Sequence, residues 1–408
     1  MSMCIDRASW SAADAAHDRA MRLAVVNLTG GGLSLGYRKY LAEMLPRLAK
    51  HPDVEDLVVF APARALTQAS IGGVGVVPWS TRDSWLGLRS VRREIHARRA
   101  GVVFVPTARP FRASAVPTVV MVRNMEPFEV PFGSNPLPEA LRNHLRLREA
   151  RRACRTAERV LAVSEHVRTH LVRRWQLNPD SVGVVRHGVG EPELASGFTP
   201  PAWPGAVAPD LFLFTAGSLR PARGLEDLIR AMSSLRSLFP DLTAVIAGGQ
   251  DRFMSAYVEG LRRLAAELGV ADRIVWPGRL DAQQMAWCFG HAALFVMTSR
   301  AEACPNIALE AMSHGSFCVS VDRPPMPEFF ADTALYYREG DAEQLAERVR
   351  GLLHRPGESA DRRAAARRRA RSFTWERTVD ETVIQLEKAM GNCGRAGSRD
   401  GMTAGDER

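Results

Sequence analysis

Cysteine is scarce in this chain and scattered. Its 408 residues hold six (Cys4, Cys154, Cys288, Cys304, Cys318 and Cys393), with no C-x-x-C pair among them. That argues against zinc ribbons and disulfide frameworks and for a reducing cytoplasm. Long apolar runs are missing as well. The longest, such as Ala292 to Met297, fall far short of the roughly 18 residues of a membrane span. Residues 1–20 contain Asp6, Asp14 and Asp18 and no apolar segment, so they do not read as a secretory signal. Aromatics make up only 7% of the chain and form no stacking pattern beside the basic stretches, which argues against a nucleic-acid partner.

What is present is ordinary globular composition, 46% apolar and 24% charged, in a chain comfortable for two domains. Short β-rich runs alternate with helix-length segments. The first half predicts strands at Leu23–Leu28, Leu57–Phe60, Val102–Val105, Thr118–Val122, Val160–Val163 and Val182–Val185. Helices fit between several of them, at Tyr37–Lys50, Leu88–Arg99, Glu139–Thr156 and Glu165–Trp175. A stretch rich in Pro, Gly and Ala then reads as a linker, after which the pattern restarts. Its strands are Leu211–Thr215, Thr243–Ala247, Ile274–Trp276, Ala293–Met297, Phe317–Val321 and Leu335–Tyr337. Two α/β domains are expected, each a doubly wound parallel sheet of the Rossmann-like kind. The expected boundaries are an extension at 1–20, a first domain at 21–190, a linker at 191–209 and a second domain at 210–372. A final helix at 373–390 and a Gly-rich polar tail at 391–408, expected to be disordered, close the chain.

The net charge of +9 comes mostly from arginine. One cluster is Arg89, Arg92, Arg93, Arg98 and Arg99, interleaved with Trp85, Leu86, Leu88, Val91 and Ile95 in an amphipathic pattern; a second runs from Arg142 through Arg174. These fit solvated helix faces, a phosphate-bearing acceptor or an anionic membrane surface.

The most telling stretch is SRAEACPNIALEAMSHG. Pro305 suits the first position of a helix, and Gly315 suits a left-handed cap at its end. Glu302 then lies ahead of the helix and Glu310 just over one turn inside it. The N–H groups of Cys304, Asn306 and Ile307 would be free at the helix start, a ready anion site. Two carboxylates beside an anion site suit a sugar nucleotide; two solvated glutamates on a surface helix are the plain alternative.

The longer stretch SRAEACPNIALEAMSHGSFCVSVDRPPMPEFFADTALYY resembles the donor-site signature of retaining GT-B glycosyltransferases of family 4, with their E-x7-E pair and a later P-E segment. The family's usual G-F-G loop is here Ala303-Cys304-Pro305. The resemblance covers Leu23 to Met390 and is densest from Phe212 to Tyr337. It implies two domains facing across a cleft, with the last helix returning to the first domain. In LFLFTAGSLRPARGLEDLIRAM, Arg223 matches the family's diphosphate-binding lysine; Ser218 and Ala222 stand where a second basic residue is usual, with Arg220 nearby. IVWPGRL places Arg279 and Leu280 at the loop that holds the base. VGVVRHGV stands where relatives read N-G-V.

The glycine loop LTGGGLSLGYRKYLAEML fails both the dinucleotide fingerprint, because Leu35 takes the third glycine site, and the P-loop, because Tyr37-Arg38 follow Gly36. By resemblance Gly31 and Gly32 approach the donor. VVMVRNMEPF puts Arg123 and Asn124 where many relatives have His-Asp. Arginine can clamp an anion but cannot be a base. Glu126 and Glu129 follow as candidates for the acceptor side, with solvated loop acids the equal alternative.

The function so implied is transfer of a hexose-type sugar from a nucleoside diphosphate to a hydroxyl of a carbohydrate, lipid-linked or small-molecule acceptor, with retention. Arg223, Arg123 and Glu302 would be catalytic, and Glu310 would hold the ribose. No D-x-D triplet occurs, so no metal is expected, and no cofactor beyond the sugar-nucleotide substrate. A sugar-nucleotide epimerase of the same architecture and a non-catalytic sugar-nucleotide binder remain open. A phosphorylase would need a cofactor-lysine motif, which is missing. The expected location is the cytoplasm, with peripheral contact to the inner face of the cell membrane if the arginines serve a bilayer.

Overall fold

Strands buried on both faces must be apolar at nearly every position. VVFV at Val102–Val105, TVVMV at Thr118–Val122 and LFVM at Leu294–Met297 are buried throughout. The structure, a computed structural model, describes residues 20–399 apart from 30–34, 67–73, 81–83, 193–206, 210, 250, 252 and 355–358. The expected extension, most of the linker and the end of the tail lie outside the described residues.

The described strands form two sheets. The first contains β1 (Met21–Val26), β2 (Val54–Pro62), β3 (Val76–Trp79), β4 (Val102–Val105), β5 (Thr118–Val122), β6 (Arg159–Ala162) and β7 (Val182–Val184), in the order β3-β2-β1-β4-β5-β6-β7. The second contains β8 (Phe212–Ala216), β9 (Thr243–Ala247), β10 (Ile274–Val275), β11 (Leu294–Met297), β12 (Cys318–Val321) and β13 (Ala334–Tyr337), in the order β10-β9-β8-β11-β12-β13. β1 pairs in parallel with β2 and β4, and β8 in parallel with β9 and β11. Each sheet therefore grows outward from its first strand in both directions.

β3 escaped the sequence reading. Its VVPW carries Pro78, which cannot donate to a ladder, and the strand lies at the sheet edge against β2 alone. The amphipathic segment around the first arginine cluster is the helix Ser84–Ala97, which buries Val91 and Ile95. A third arginine-rich helix runs Ser359–Ala370. Its Arg363 and Arg367 donate to the carbonyls of Gly315, Ala292 and His314, and Arg369 to those of Phe329 and Glu328. The last helix runs Trp375–Arg399, past Gly391, where disorder was expected. A helix anchored by packed early turns extends at little cost per residue.

The chain divides into two compact units. One is Met1–Met121, Arg152–Leu161 and Val379–Arg408; the other is Val122–Arg151 and Ala162–Thr378. Within the first, Arg159 donates through Nε and Nη2 to Gln385 Oε1 at 3.0 and 2.7 Å, tying β6 to the last helix. Within the second, a continuous core joins both faces of β8–β13, with Phe212 stacked on Trp287 at 5.6 Å and Phe214 edge-on to Phe289 at 5.3 Å.

Candidate active site

In an open parallel sheet, ligands favour the crevice beyond the carboxyl ends of the strands, where the strand order reverses. In the second sheet that point lies between β8 and β11. The loop after β8 is short and locked. Arg223 ends a single 3-10 turn, Pro221–Arg223, and Gly224 at φ 58° turns the chain into the helix Leu225–Leu235. A Cβ at Gly224 would come within 2.5 Å of the Thr298 carbonyl, so glycine is required twice over. Thr298 Oγ1 donates to the Arg223 carbonyl at 2.6 Å, and Arg300 N–H to the Ala222 carbonyl at 2.7 Å. The loops after β8 and β11 are thus one bonded unit.

On that frame Arg223 Nη1 donates to Glu302 Oε1 at 2.6 Å and to Ser299 Oγ at 3.1 Å. Its guanidinium lies flat against Gly217, where a Cβ would stand 2.6 Å from Cζ. The sequence placed Arg223 and Glu302 in one site, and the structure brings them together across 79 residues of chain.

Arg220 turns elsewhere. Its Nη1 donates to Glu126 Oε2 at 2.5 Å, and Asn143 Nδ2 lies 3.5 Å from Glu126 Oε1. Arg146 Nη1 donates in turn to Asn143 Oδ1 and to the buried Glu139, both at 2.9 Å. Glu126 begins the short helix Glu126–Glu129, and its own N–H is taken by Asn124 Oδ1 at 3.1 Å. A residue assigned to the donor and one assigned to the acceptor side are therefore an ion pair.

A third cluster was not foreseen. His187, after β7, is buried, and its Nδ1–H donates to Asn306 Oδ1 at 2.9 Å. Burial, with the Arg123 charge adding to it, pushes the imidazole down to about 3, so the ring is neutral. The ring stacks near Trp375, at 6.2 Å between centroids. Cys304 receives a hydrogen bond from the backbone of His187, and burial raises its thiol to about 12, which removes it as a nucleophile at neutral pH. The only sequence signal was the histidine standing in an N-G-V position.

One expectation is corrected here. The N–H of Asn306 is not free: it donates to the Cys304 carbonyl at 2.9 Å, because Pro305 is the cap and not the first helical residue. The helix is Asn306–Ser313, with Glu310 half-buried one turn in, on the same face as Asn306. Ser218 and Arg279 are exposed. The Arg279 guanidinium crosses Gly249 at the end of β9, where Gly248 N–H donates to the Gly278 carbonyl at 2.7 Å. Leu280, Cys304 and Ile307 pack against the core from half-buried positions. Gly31 and Gly32 lie outside the described residues. Glu328 of the P-E segment plays a structural part, accepting from Glu165 N–H at 3.0 Å and from Arg186 Nε at 2.7 Å and so capping the helix Glu165–Trp175. Glu129 accepts from His166 Nε2 at 2.6 Å. Among the described residues no group of three or more His, Cys, Asp or Glu could hold a metal ion, and no helix is long and apolar enough to cross a membrane.

Two parallel doubly wound sheets, with paired loops at the switch point of the second, define the GT-B class. Solved structures share the fold. Anabaena HepE in complex with UDP is 17% identical at a TM-score of 0.69, covering 90% of this chain and all of that one. WaaG, a glycosyltransferase involved in lipopolysaccharide biosynthesis, is 14% identical at 0.63, covering 89% and 99%. The model of the glycosyl transferases group 1 matches residues 204–372, and that of glycosyltransferase family 4 matches residues 36–190. The chain belongs to the group 1 glycosyltransferases. Among curated proteins, the D-inositol 3-phosphate glycosyltransferase of Streptomyces scabiei is 28% identical over 58% of this chain and 55% of its own length. That of Mycolicibacterium paratuberculosis is 26% identical over 57% and 53%. The chain spans about half the length of these relatives.

Proposed function

We propose that this chain transfers a hexose-type sugar from a nucleoside diphosphate to an acceptor hydroxyl, with retention and without a metal. The Arg223–Glu302 pair at the switch point of the second sheet carries this reading. The bond from the anomeric carbon to the diphosphate breaks, a bond to the acceptor oxygen forms, and the acceptor proton is released. Negative charge develops on the leaving diphosphate, so a fixed cation lowers the barrier. Arg223, anchored by Ser299 and laid on Gly217, supplies it without rearrangement. Glu302 takes the donor sugar's hydroxyls and Glu310 the ribose. Arg123, half-buried beside His187 and Cys304, adds positive potential from the end of β5.

Support for the donor class comes from the family and from HepE, which binds UDP and UDP-glucose. For the acceptor, the relatives' name adds a phosphorylated polyol to carbohydrate and lipid-linked hydroxyls, and an anionic membrane is proposed as a peripheral partner. The test is donor turnover across a panel of nucleotide sugars, with D-inositol 3-phosphate among the acceptors, in wild type and Glu302→Ala. Turnover and transfer by wild type, abolished in the variant, support an enzyme. Turnover without any transfer would point to an epimerase, and binding without turnover to a non-catalytic protein.

A further inference from the structure

Exposed large apolar side chains are scattered along the described chain except in one stretch, where they cluster. Of the large hydrophobic residues that stand exposed, Phe132 (54%), Leu137 (63%), Leu141 (52%) and Leu145 (61%) fall within a single short stretch. The three leucines recur every fourth residue along the helix Leu137–Thr156, so they form one stripe. His144, Arg148 and Arg151 are exposed within the same arc of about 120°. The face is therefore apolar over its first turns and cationic beyond them. Its acids are turned away or lie at the margin. Glu139 is buried and holds Arg142 and Arg146 at 2.6 and 2.9 Å, while Glu149 lies beyond the edge of the arc.

We infer that this face docks the protein on an anionic lipid bilayer. Leucines enter the boundary between headgroups and acyl chains, and the guanidinium groups of Arg148 and Arg151 meet the lipid phosphates. A second copy of the chain fits worse, since self-pairing would set like-charged arginines against each other. The arginine-rich helix Ser84–Ala97 offers no such stripe: its Val91 and Ile95 are spent in the core, and among its described side chains Leu86 stands exposed without a leucine one turn on. The inference rests on the proposed peripheral membrane contact and assigns it a surface. The helix follows directly on the segment that carries Arg123 and Glu126, so docking would bring the acceptor side of the site toward lipid-borne hydroxyls.

The test is co-sedimentation of the full chain with phosphatidylcholine vesicles, pure or containing about a third phosphatidylglycerol. Wild type should sediment with the acidic vesicles, and added salt should release most of it. The double variant Leu141→Glu/Leu145→Glu should lower the bound fraction at least about tenfold, since withdrawing two leucines from a bilayer forfeits both burial terms. Both side chains are exposed, so its melting temperature and its donor hydrolysis should match wild type. Wild type that ignores acidic vesicles, or a double variant that binds as wild type does, overturns the proposal. A dimer that the double variant dissociates, with no vesicle binding, overturns it too and makes the face a subunit interface. Vesicle binding is read without any sugar donor, so failure of the proposed reaction would leave this result standing.

Discussion

Arg220 and Arg223 lie three residues apart in one loop, and each grips a carboxylate, yet their settings differ. Arg223 is held by residues from the two strand ends that flank the switch point, β8 and β11, in a frame closed by Thr298 and Arg300. Arg220 reaches Glu126, 94 residues away, in a segment braced by Asn143 and Arg146. The first arrangement orients a cation at a strand end. The second joins distant parts of the chain. Identical side chains in one loop thus take on different roles according to what their partners are attached to.

Removing Arg223 should have the largest effect. Arg223→Ala should lower kcat by about 10²-fold or more, as loss of a positioned electrostatic donor does, and Arg223→Lys should recover much of it. Gly217→Ala should mimic part of the defect by displacing the guanidinium. Steady-state transfer to a defined acceptor, corrected for donor hydrolysis, measures both. Near-normal kcat in Arg223→Ala would falsify the clamp.

Arg220→Ala should be mainly a stability lesion. It leaves Glu126 buried without its cation and should cost about 2–3 kcal/mol, below the roughly 3–5 of a fully buried pair because Arg220 keeps 21% of its side chain in water. Arg220→Gln combined with Glu126→Gln should restore much of that in chemical denaturation. If Arg220→Ala instead cuts kcat as deeply as Arg223→Ala at unchanged stability, the two arginines share one function.

Glu310→Ala should raise the donor KM by about tenfold with little change in kcat, because ribose hydroxyls are held equally before and during reaction. A collapse of kcat at constant KM would assign Glu310 to the reacting centre.

The last effect, absent at neutral pH and growing only in acid, concerns His187. Its folded imidazole sits near 3 and its free value near 6.5, so between those values the unfolded chain binds a proton that the folded chain does not. Stability is then lost as pH falls from about 6.5 toward 3, by at most about 1.4 kcal/mol per unit from this group. His187→Asn should flatten that slope in denaturation curves across the window, and an unchanged slope would rule out the buried neutral ring.

The apolar strands were legible because burial on both faces leaves them continuous in sequence, as in β4, β5 and β9. β3 was not, since Pro78 and its glycine-rich lead-in read as loop. Motif position, through the family resemblance, was enough to put Arg223 and Glu302 in one site, though not to show that they bond to each other. Nothing local linked Arg220 to Glu126, His187 to Asn306, or Glu328 to the helix at Glu165. Each of those contacts spans more than 90 residues, and sequence periodicity reports only on neighbours one or two turns away.

By itself, then, the sequence determined the two sheets, the existence of most helices and which strand ends carry charge, because backbone propensity and hydrophobic period are local properties. Tertiary structure alone decided which partner each charge meets. It sent the arginines of Ser359–Ala370 to backbone carbonyls and took the Asn306 N–H out of the anion site. It also separated two arginine-rich helices that look alike in sequence, one with its apolar side in the core and one with three leucines in water. Burial is a property of the packed chain, so a helix pattern can show that an apolar face exists but not what covers it.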